Sequence, residues 1–338
     1  MRSGLPRLLV ATQYRPETLE AHLDRLWAPL FADRNLQIRN GALVRGQGGY
    51  GGTADAVATN RALIDAAAPD EVLVLSADHI YQMDYSAMIA AHRASGASVT
   101  VGVHHVPVHQ ATGFGVLEAG PDGSVIRFAE KPAHPAEDPA KPGHSMASMG
   151  IYVFDWAWLR AALPVGASAC DFGHDILPAA VAAGVVSAFA LPALPGQTAP
   201  YWRDVGTLDS LRSTLLEFAA TAPCRLPVLP GPPFLASGMY GHVARPAGPA
   251  NPAGSVILPG AHVDASARLQ RAIVAPGTYV PPNLVVGEDA QEDARWFRRT
   301  RDGTVLVTNA MLAQRAGRAL PNLTGPLLRA YDLPLAAC

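Results

Sequence analysis

Cysteine, charge and long apolar runs are all scarce in this chain of 338 residues, and each scarcity argues against a class of function. The three cysteines, Cys170, Cys224 and Cys338, stand far apart with no CxxC spacing, which argues against a disulfide framework or a cysteine zinc site and fits a reducing cytoplasm. Only 16% of the residues are charged and the formal net charge is -2, so no basic field exists to hold nucleic acid or an anionic membrane surface. Any phosphate must be held locally, by a few placed groups. No apolar run reaches the ~18 residues of a membrane span, and the N-terminus lacks the basic and apolar regions of a signal peptide. Apolar residues are plentiful at 49%, enough to bury a substantial core and to build more than one domain.

From residue 8 to about 222, short apolar runs alternate with amphipathic helical ones, the pattern of βαβ units and a mostly parallel sheet. Val72 to Leu75 reads as a buried strand and Val99, Val101 and Val103 alternate as another. Val116-Leu117 and Val125-Ile126 flank the turn Pro121-Asp122-Gly123 as a hairpin. Thr53 can cap a helix carrying Val57 and Ile64, Asp84 one closed by Gly96, and Thr207 one with Leu208, Leu211, Leu215 and Phe218 on a single face. These residues make up a first domain, 1–222. Residues 223–254 are broken by Pro223, Pro227, Pro230, Pro232, Pro233 and others, and read as a linker. In 255–312, Ile257, Val263 and Leu269 recur every six residues, and Val274, Val280 and Val286 repeat the spacing. Such hexads belong to a parallel β-helix, each face of a triangular coil supplying one inward side chain. About two coils are visible, fewer than a free-standing stack needs, so the module is expected to lean on the first domain or on another subunit. The tail, 313–338, shows no repeat.

Four blocks carry chemistry. In ADHIYQMDY (77–85), Asp78 follows the apolar strand directly, where a carboxylate can hold Mg²⁺ against a triphosphate, although an isolated Asp-His pair more often caps a turn. In YWRDVGT (201–207), Asp204 also precedes a capped helix and offers the second carboxylate that phosphate-transferring metal sites use. In EKP (130–132), Pro132 disfavours helical geometry at Lys131, so its ammonium can project toward a sugar phosphate as a point charge. In GGTADAV (51–57), the amides at the helix start form a natural phosphate or base contact. His262, in a hexad coil, reads as a solvent-facing corner or, less readily, as the general base of an acyl transfer.

With ASMGIYVF (147–154) and GTVLVTNAML (303–312), these blocks resemble the glucose-1-phosphate adenylyltransferases, the ADP-glucose pyrophosphorylases of bacterial glycogen synthesis. The resemblance runs from about Leu9 to Leu216 and resumes from Val256 to Leu312. It implies an α/β fold, a Rossmann-like nucleotidyltransferase sheet followed by a short C-terminal left-handed parallel β-helix. It implies synthesis of ADP-glucose and pyrophosphate from ATP and glucose 1-phosphate by a cytoplasmic homo-oligomer, a tetramer in the family, with no nucleic-acid or membrane partner. Asp78 and Asp204 would hold Mg²⁺, and Lys131 would offset charge beside them. Tyr50, Gly115, Glu130, Lys131, Ser148 and Asp171 would line the glucose 1-phosphate pocket, and Gln13, Gly52, Thr53 and Asp55 would sit at the nucleotide.

The chain departs from the family pattern in three places. The family's first strand, Gly-rich loop and Lys-Pro-Ala segment would fall before Met1, which implies a domain incomplete at its N-terminus and impaired activity. Gly49-Tyr50-Gly51-Gly52 stands where the family has Trp-Tyr-Arg-Gly, and Asn309 and Ala313 stand where some members have regulator-binding arginines. The alternative these departures raise is a non-catalytic subunit that binds sugar phosphate or a regulator.

Overall fold

The computed structural model describes residues 5, 7–31, 35–46, 48–166, 169–193, 199–220 and 254–317; the proline-rich segment expected as a linker, up to residue 253, and the tail from 318 onward lie outside the described residues. Ten strands build the first region: β1 (Leu8–Thr12), β2 (Leu36–Asn40), β3 (Glu71–Leu75), β4 (His79–Tyr81), β5 (Val99–Pro107), β6 (Gly115–Ala119), β7 (Val125–Glu130), β8 (His144–Asp155), β9 (Val186–Ala190) and β10 (Trp202–Asp204). The main sheet runs β7-β6-β8-β5-β9, with β3 also paired to β8.

The expectation of a mostly parallel sheet is corrected. Among the described residues of the first region only β1–β2 and β5–β9 pair in parallel, while β8 runs antiparallel to β3, β5 and β6. The physical reason is the length of β8, whose twelve residues take β6 and β3 in succession along one edge and β5 along the other. Its side chains alternate between two cores. Tyr152 and Phe154 pack with Val99, Val101, Leu159, Phe172 and Leu177 on one face, and Met149, Ile151 and Val153 with Met88 and Trp202 on the other. Burial on both faces explains the unbroken apolar run IYVF, and each such side chain contributes about 1.5–3 kcal/mol. Among the described residues β3 is paired on one edge only, and its Leu75 is exposed.

Local signals set the helices. Asp84 caps the helix Tyr85–Ser95 by accepting from the Ser86 amide, and Gly96 ends it in the left-handed conformation. The hydroxyl oxygen of Thr207 accepts from the Ser210 amide at the start of Leu208–Ala220. The helix expected from Thr53 through Ile64 is two, Thr53–Thr59 and Arg61–Ala67, broken at Asn60. The Asn60 amide donates to the Ala56 carbonyl and the Tyr50 hydroxyl, and its oxygen accepts from Arg39, so the side chain competes with the helical ladder.

In the second region the first coil pairs in parallel with the strands seventeen residues on, Val256 with Ile273, His262 with Tyr279 and Arg268 with Val285, while Arg298–Arg299 pairs antiparallel with Val305–Val307. The hexad side chains Leu269, Val274, Val280 and Val286 are buried in the coil interior. A third turn begins with Val305–Val307 on Ala272–Val274. His262 is exposed and stacks on Tyr279 one coil on, a corner position. Asn309 closes the coil by donating to the Gly277 carbonyl and accepting from the Tyr279 amide. The β-helix packs on the helix Leu208–Ala220: Leu208 and Leu211 meet Ile273 and Leu306, Thr300 donates to Asp209 at 2.9 Å, and Arg212 donates to Thr304 at 2.9 Å. No helix among the described residues is long and apolar enough to cross a membrane.

Candidate active site

Asp78 and Asp204, distant in sequence, are brought together by one short antiparallel ladder. Strand β10 pairs with β4 so that Asp204 stands opposite His79, and the Val205 amide donates to the Asp78 carbonyl at 3.0 Å. One donor atom from each of Asp78, His79 and Asp204 lies within 4.8 Å of the others. Gly206 keeps the corner open: a Cβ there would stand 3.0 Å from Oδ1 of Asp204 and 3.3 Å from Oδ2 of Asp78. Its amide donates to Asp204 Oδ1 at 2.7 Å and fixes that carboxylate. Two hard oxygen donors beside an imidazole nitrogen, around a space that a single methyl would fill, fit a divalent cation.

His79 is held from two sides. Its Nδ1 lies 2.8 Å from the Met149 carbonyl, and the Trp202 indole meets the ring edge-on at 5.2 Å. That carbonyl is presented by a kink in β8 at Gly150, which has φ +64° and where a Cβ would stand 2.3 Å from the Ser76 hydroxyl. The close approach as well as the left-handed backbone demands glycine.

Among the residues expected at the sugar phosphate, Glu130 ends β7 and its carboxylate fits between Gly115 and Gly173, each of which would place a Cβ within 3 Å of Oε2. Burial is the main influence on Glu130 and raises its pKa above the ordinary glutamate value, against the lowering pull of Lys131 and His174. Lys131 lies outside the right-handed helical region, as Pro132 led us to expect. It takes φ +44°, in the left-handed region, held by its amide's hydrogen bond to the Phe114 carbonyl at 3.0 Å. A non-glycine residue in that conformation costs on the order of 1 kcal/mol, a cost found most often at functional positions. Ser148 is buried and donates to the Tyr152 hydroxyl at 3.4 Å. Burial pushes the Asp171 carboxyl up, but hydrogen bonds from the Thr53 hydroxyl and the Gly173 and His174 amides outweigh it and hold the group below the ordinary range. The structure therefore joins Thr53, expected at the nucleotide, to Asp171, expected at the sugar.

Other expected contacts are spent internally. The amides of Ala54 and Asp55 donate to the Cys170 carbonyl at 3.1 and 3.0 Å, so this helix start does not offer them to a phosphate. Gly52 permits that approach, since a Cβ there would stand 2.4 Å from the same oxygen. Asp55 is fully buried, its Oδ2 paired with Arg45 and accepting from the Gly51 amide at 2.6 Å, while its Oδ1 has no hydrogen-bond partner among the described residues. Tyr50 is buried too, its hydroxyl donating to the Arg39 carbonyl, which braces the side chain against β2. Gln13 grips Tyr50, accepting from its amide and donating to its carbonyl at 3.1 Å.

The Nucleotidyl transferase family matches residues 1–220, and the family described as GlmU-like, C-terminal hexapeptide matches 247–307. The chain is 35% identical over 364 residues to the glucose-1-phosphate adenylyltransferase of Jannaschia sp. (strain CCS1), an alignment covering 94% of this chain and 87% of that protein. It is 36% identical over 364 residues to the glucose-1-phosphate adenylyltransferase of Paraburkholderia phytofirmans (strain DSM 17436 / LMG 22146 / PsJN), covering 93% and 87%. The chain belongs to the glucose-1-phosphate adenylyltransferase family. As in the sequence reading, this family member joins a nucleotidyltransferase domain to a left-handed hexapeptide β-helix.

Three residues that shape this candidate site escape sequence reasoning: His79, Gly150 and Gly206. Gly206 has a local signature, a glycine two residues after an aspartate that accepts its amide. Gly150 has none, because what it must avoid, Ser76, lies on another strand connection.

Proposed function

We propose that this chain forms ADP-glucose and pyrophosphate from ATP and glucose 1-phosphate, with Asp78 and Asp204 as ligands of Mg²⁺. The observation that carries the reading is the convergence of these two carboxylates on a space kept open by Gly206, in a chain whose relatives bear the name of that enzyme. A phosphate oxygen of glucose 1-phosphate attacks the α-phosphorus of ATP. The new P–O bond forms as the bond to the bridging oxygen of pyrophosphate breaks, and pyrophosphate departs with that electron pair. Asp78 and Asp204 would hold Mg²⁺, which when bound would supply charge compensation for the phosphoryl group. Lys131 adds a positive charge beside the sugar phosphate, and its left-handed backbone supports a functional role there. Glu130, Ser148 and Asp171 hold sugar hydroxyls, with Gly115 leaving room for Glu130. Gln13, Gly52 and Thr53 shape the nucleotide side. Catalysis is positioning and electrostatics; no side chain becomes a covalent intermediate. We place the reaction in the cytoplasm and the chain in a homo-oligomer, tetrameric by resemblance.

A second reading, a sugar-phosphate-binding or regulatory subunit without turnover, is favoured by one observation: the Ala54 and Asp55 amides are already committed to Cys170. One assay separates the two. The purified chain, given ATP, glucose 1-phosphate and a divalent cation, is expected to release pyrophosphate and ADP-glucose in equal amounts. Saturable glucose 1-phosphate binding with no pyrophosphate release would establish the second reading and end the first.

A further inference from the structure

Neither the sequence reading nor the family comparisons give His79 a role. We propose that its Nε2 is a third protein ligand of the cation at Asp78 and Asp204, giving this centre one nitrogen donor beside two carboxylates. The inference rests on the metal assignment made under the proposed function and extends it to a residue of this chain.

The tautomer follows from the partner. Met149 offers a carbonyl oxygen, which can only accept, so Nδ1 carries the proton and donates at 2.8 Å. In the neutral ring that leaves the lone pair on Nε2. Among the described residues Nε2 has no hydrogen bond, yet the His79 side chain is nine-tenths buried, with 10% of its surface exposed. Nε2 stands 3.6 Å from Oδ1 of Asp78, too far for a hydrogen bond and suitable for two atoms sharing one ion. A ligating histidine whose other nitrogen donates to a backbone carbonyl is the arrangement that fixes both ring orientation and basicity in metal centres. The ring is also clamped edge-on by Trp202, two residues before Asp204, so the element delivering the second carboxylate orients the imidazole. Gly150 completes the support: a Cβ there would stand 3.4 Å from Cε1 of His79 and would crowd Ser76.

The ligand set changes metal preference. Two carboxylates alone suit Mg²⁺; an added imidazole nitrogen favours a first-row transition ion over Mg²⁺, so Mn²⁺ is expected to bind the nucleotide-free chain more tightly. Mg²⁺ still serves wherever its concentration makes up the difference.

The test uses the full chain without nucleotide and Mn²⁺ as the probe. Pulsed electron paramagnetic resonance of bound Mn²⁺ is expected to show the modulation of a directly coordinated imidazole ¹⁴N, replaced by a ¹⁵N pattern when histidine is ¹⁵N-labelled. In His79→Asn, whose amide can keep the bond to Met149 while removing the ligating atom, the modulation should vanish. Mn²⁺ affinity should fall about tenfold or more by analogy with other perturbed metal shells, and Mg²⁺ affinity much less. His79→Gln, retaining a polar atom near the Nε2 position, serves if the first variant melts abnormally. Wild-type Mn²⁺ bound without nitrogen modulation, or modulation that persists in a folded His79 variant, overturns the proposal. Failure here leaves ADP-glucose synthesis untouched, since that is read from pyrophosphate release. Nitrogen coupling in a chain that makes no ADP-glucose would instead retire the proposed function and keep the ligand.

Discussion

The corner built by Asp78 and Asp204 and the turn from Gly51 to Asp55 look alike in sequence, each an aspartate near a helix start with glycines beside it, and they use those parts in opposite ways. At the corner the Asp78 carboxylate is exposed, Asp204 is held by one oxygen to the Gly206 amide, and the glycine keeps open the space beside both carboxylates. At the turn Asp55 is fully buried against Arg45 and the Gly51 amide, and Gly52 serves to bring the chain onto Cys170. A motif aspartate is open to ligand chemistry when the fold leaves its carboxylate accessible. An aspartate enclosed with its cation, as Asp55 is with Arg45, contributes to stability.

Substitution should separate the two sites. Asp204→Asn removes a charged ligand from an open corner, so ADP-glucose formation should drop by roughly 10²–10³-fold, while the melting temperature stays near wild type; steady-state kinetics beside calorimetry read both, and a large loss of stability would break the contrast. Asp55→Ala strands Arg45 without its buried partner, which should cost about 3–5 kcal/mol of stability, seen in denaturant titration; an unchanged midpoint would show that the ion pair does not hold the turn. The smallest effect concerns Glu130, whose pKa is raised by burial. Its native state holds a proton more tightly than the unfolded chain does, so the stability it contributes is full below the unfolded value near 4.5 and is lost as pH climbs through the raised native value. Glu130→Gln should therefore be more stable than wild type at neutral pH, with the gap closing in acid. Melting curves across that window check the sign, and a gap that widens in acid would contradict it.

Much of the corner was legible because Asp78 and Asp204 lie in extended blocks, and the β-helix because Val274, Val280 and Val286 repeat a six-residue period that only inward-facing side chains require. What could not be read was long-range. The capture of the Ala54 and Asp55 amides depends on Cys170, more than a hundred residues on, and nothing near Thr53 announces it. The directions of β8's partners follow from tertiary pairing, since apolar alternation is the same for parallel and antiparallel neighbours. At Lys131 the sequence settled less than the structure shows. The residue preceding proline is steered away from the right-handed helical region, but which other region it takes depends on the Phe114 carbonyl, which claims its amide.

The arrangement of β8 bears on how this protein opens. Tyr152, Val153 and Phe154 are flanked by β3 on one edge and β5 on the other, with side chains in both apolar clusters, so freeing their amides to solvent requires dismantling the whole domain. Their protons should be among the slowest to exchange with deuterium. Met149 and Gly150 lie at the end of that segment, which suspends the His79 anchor from the last part of the domain to come apart, whatever the surface loops are doing.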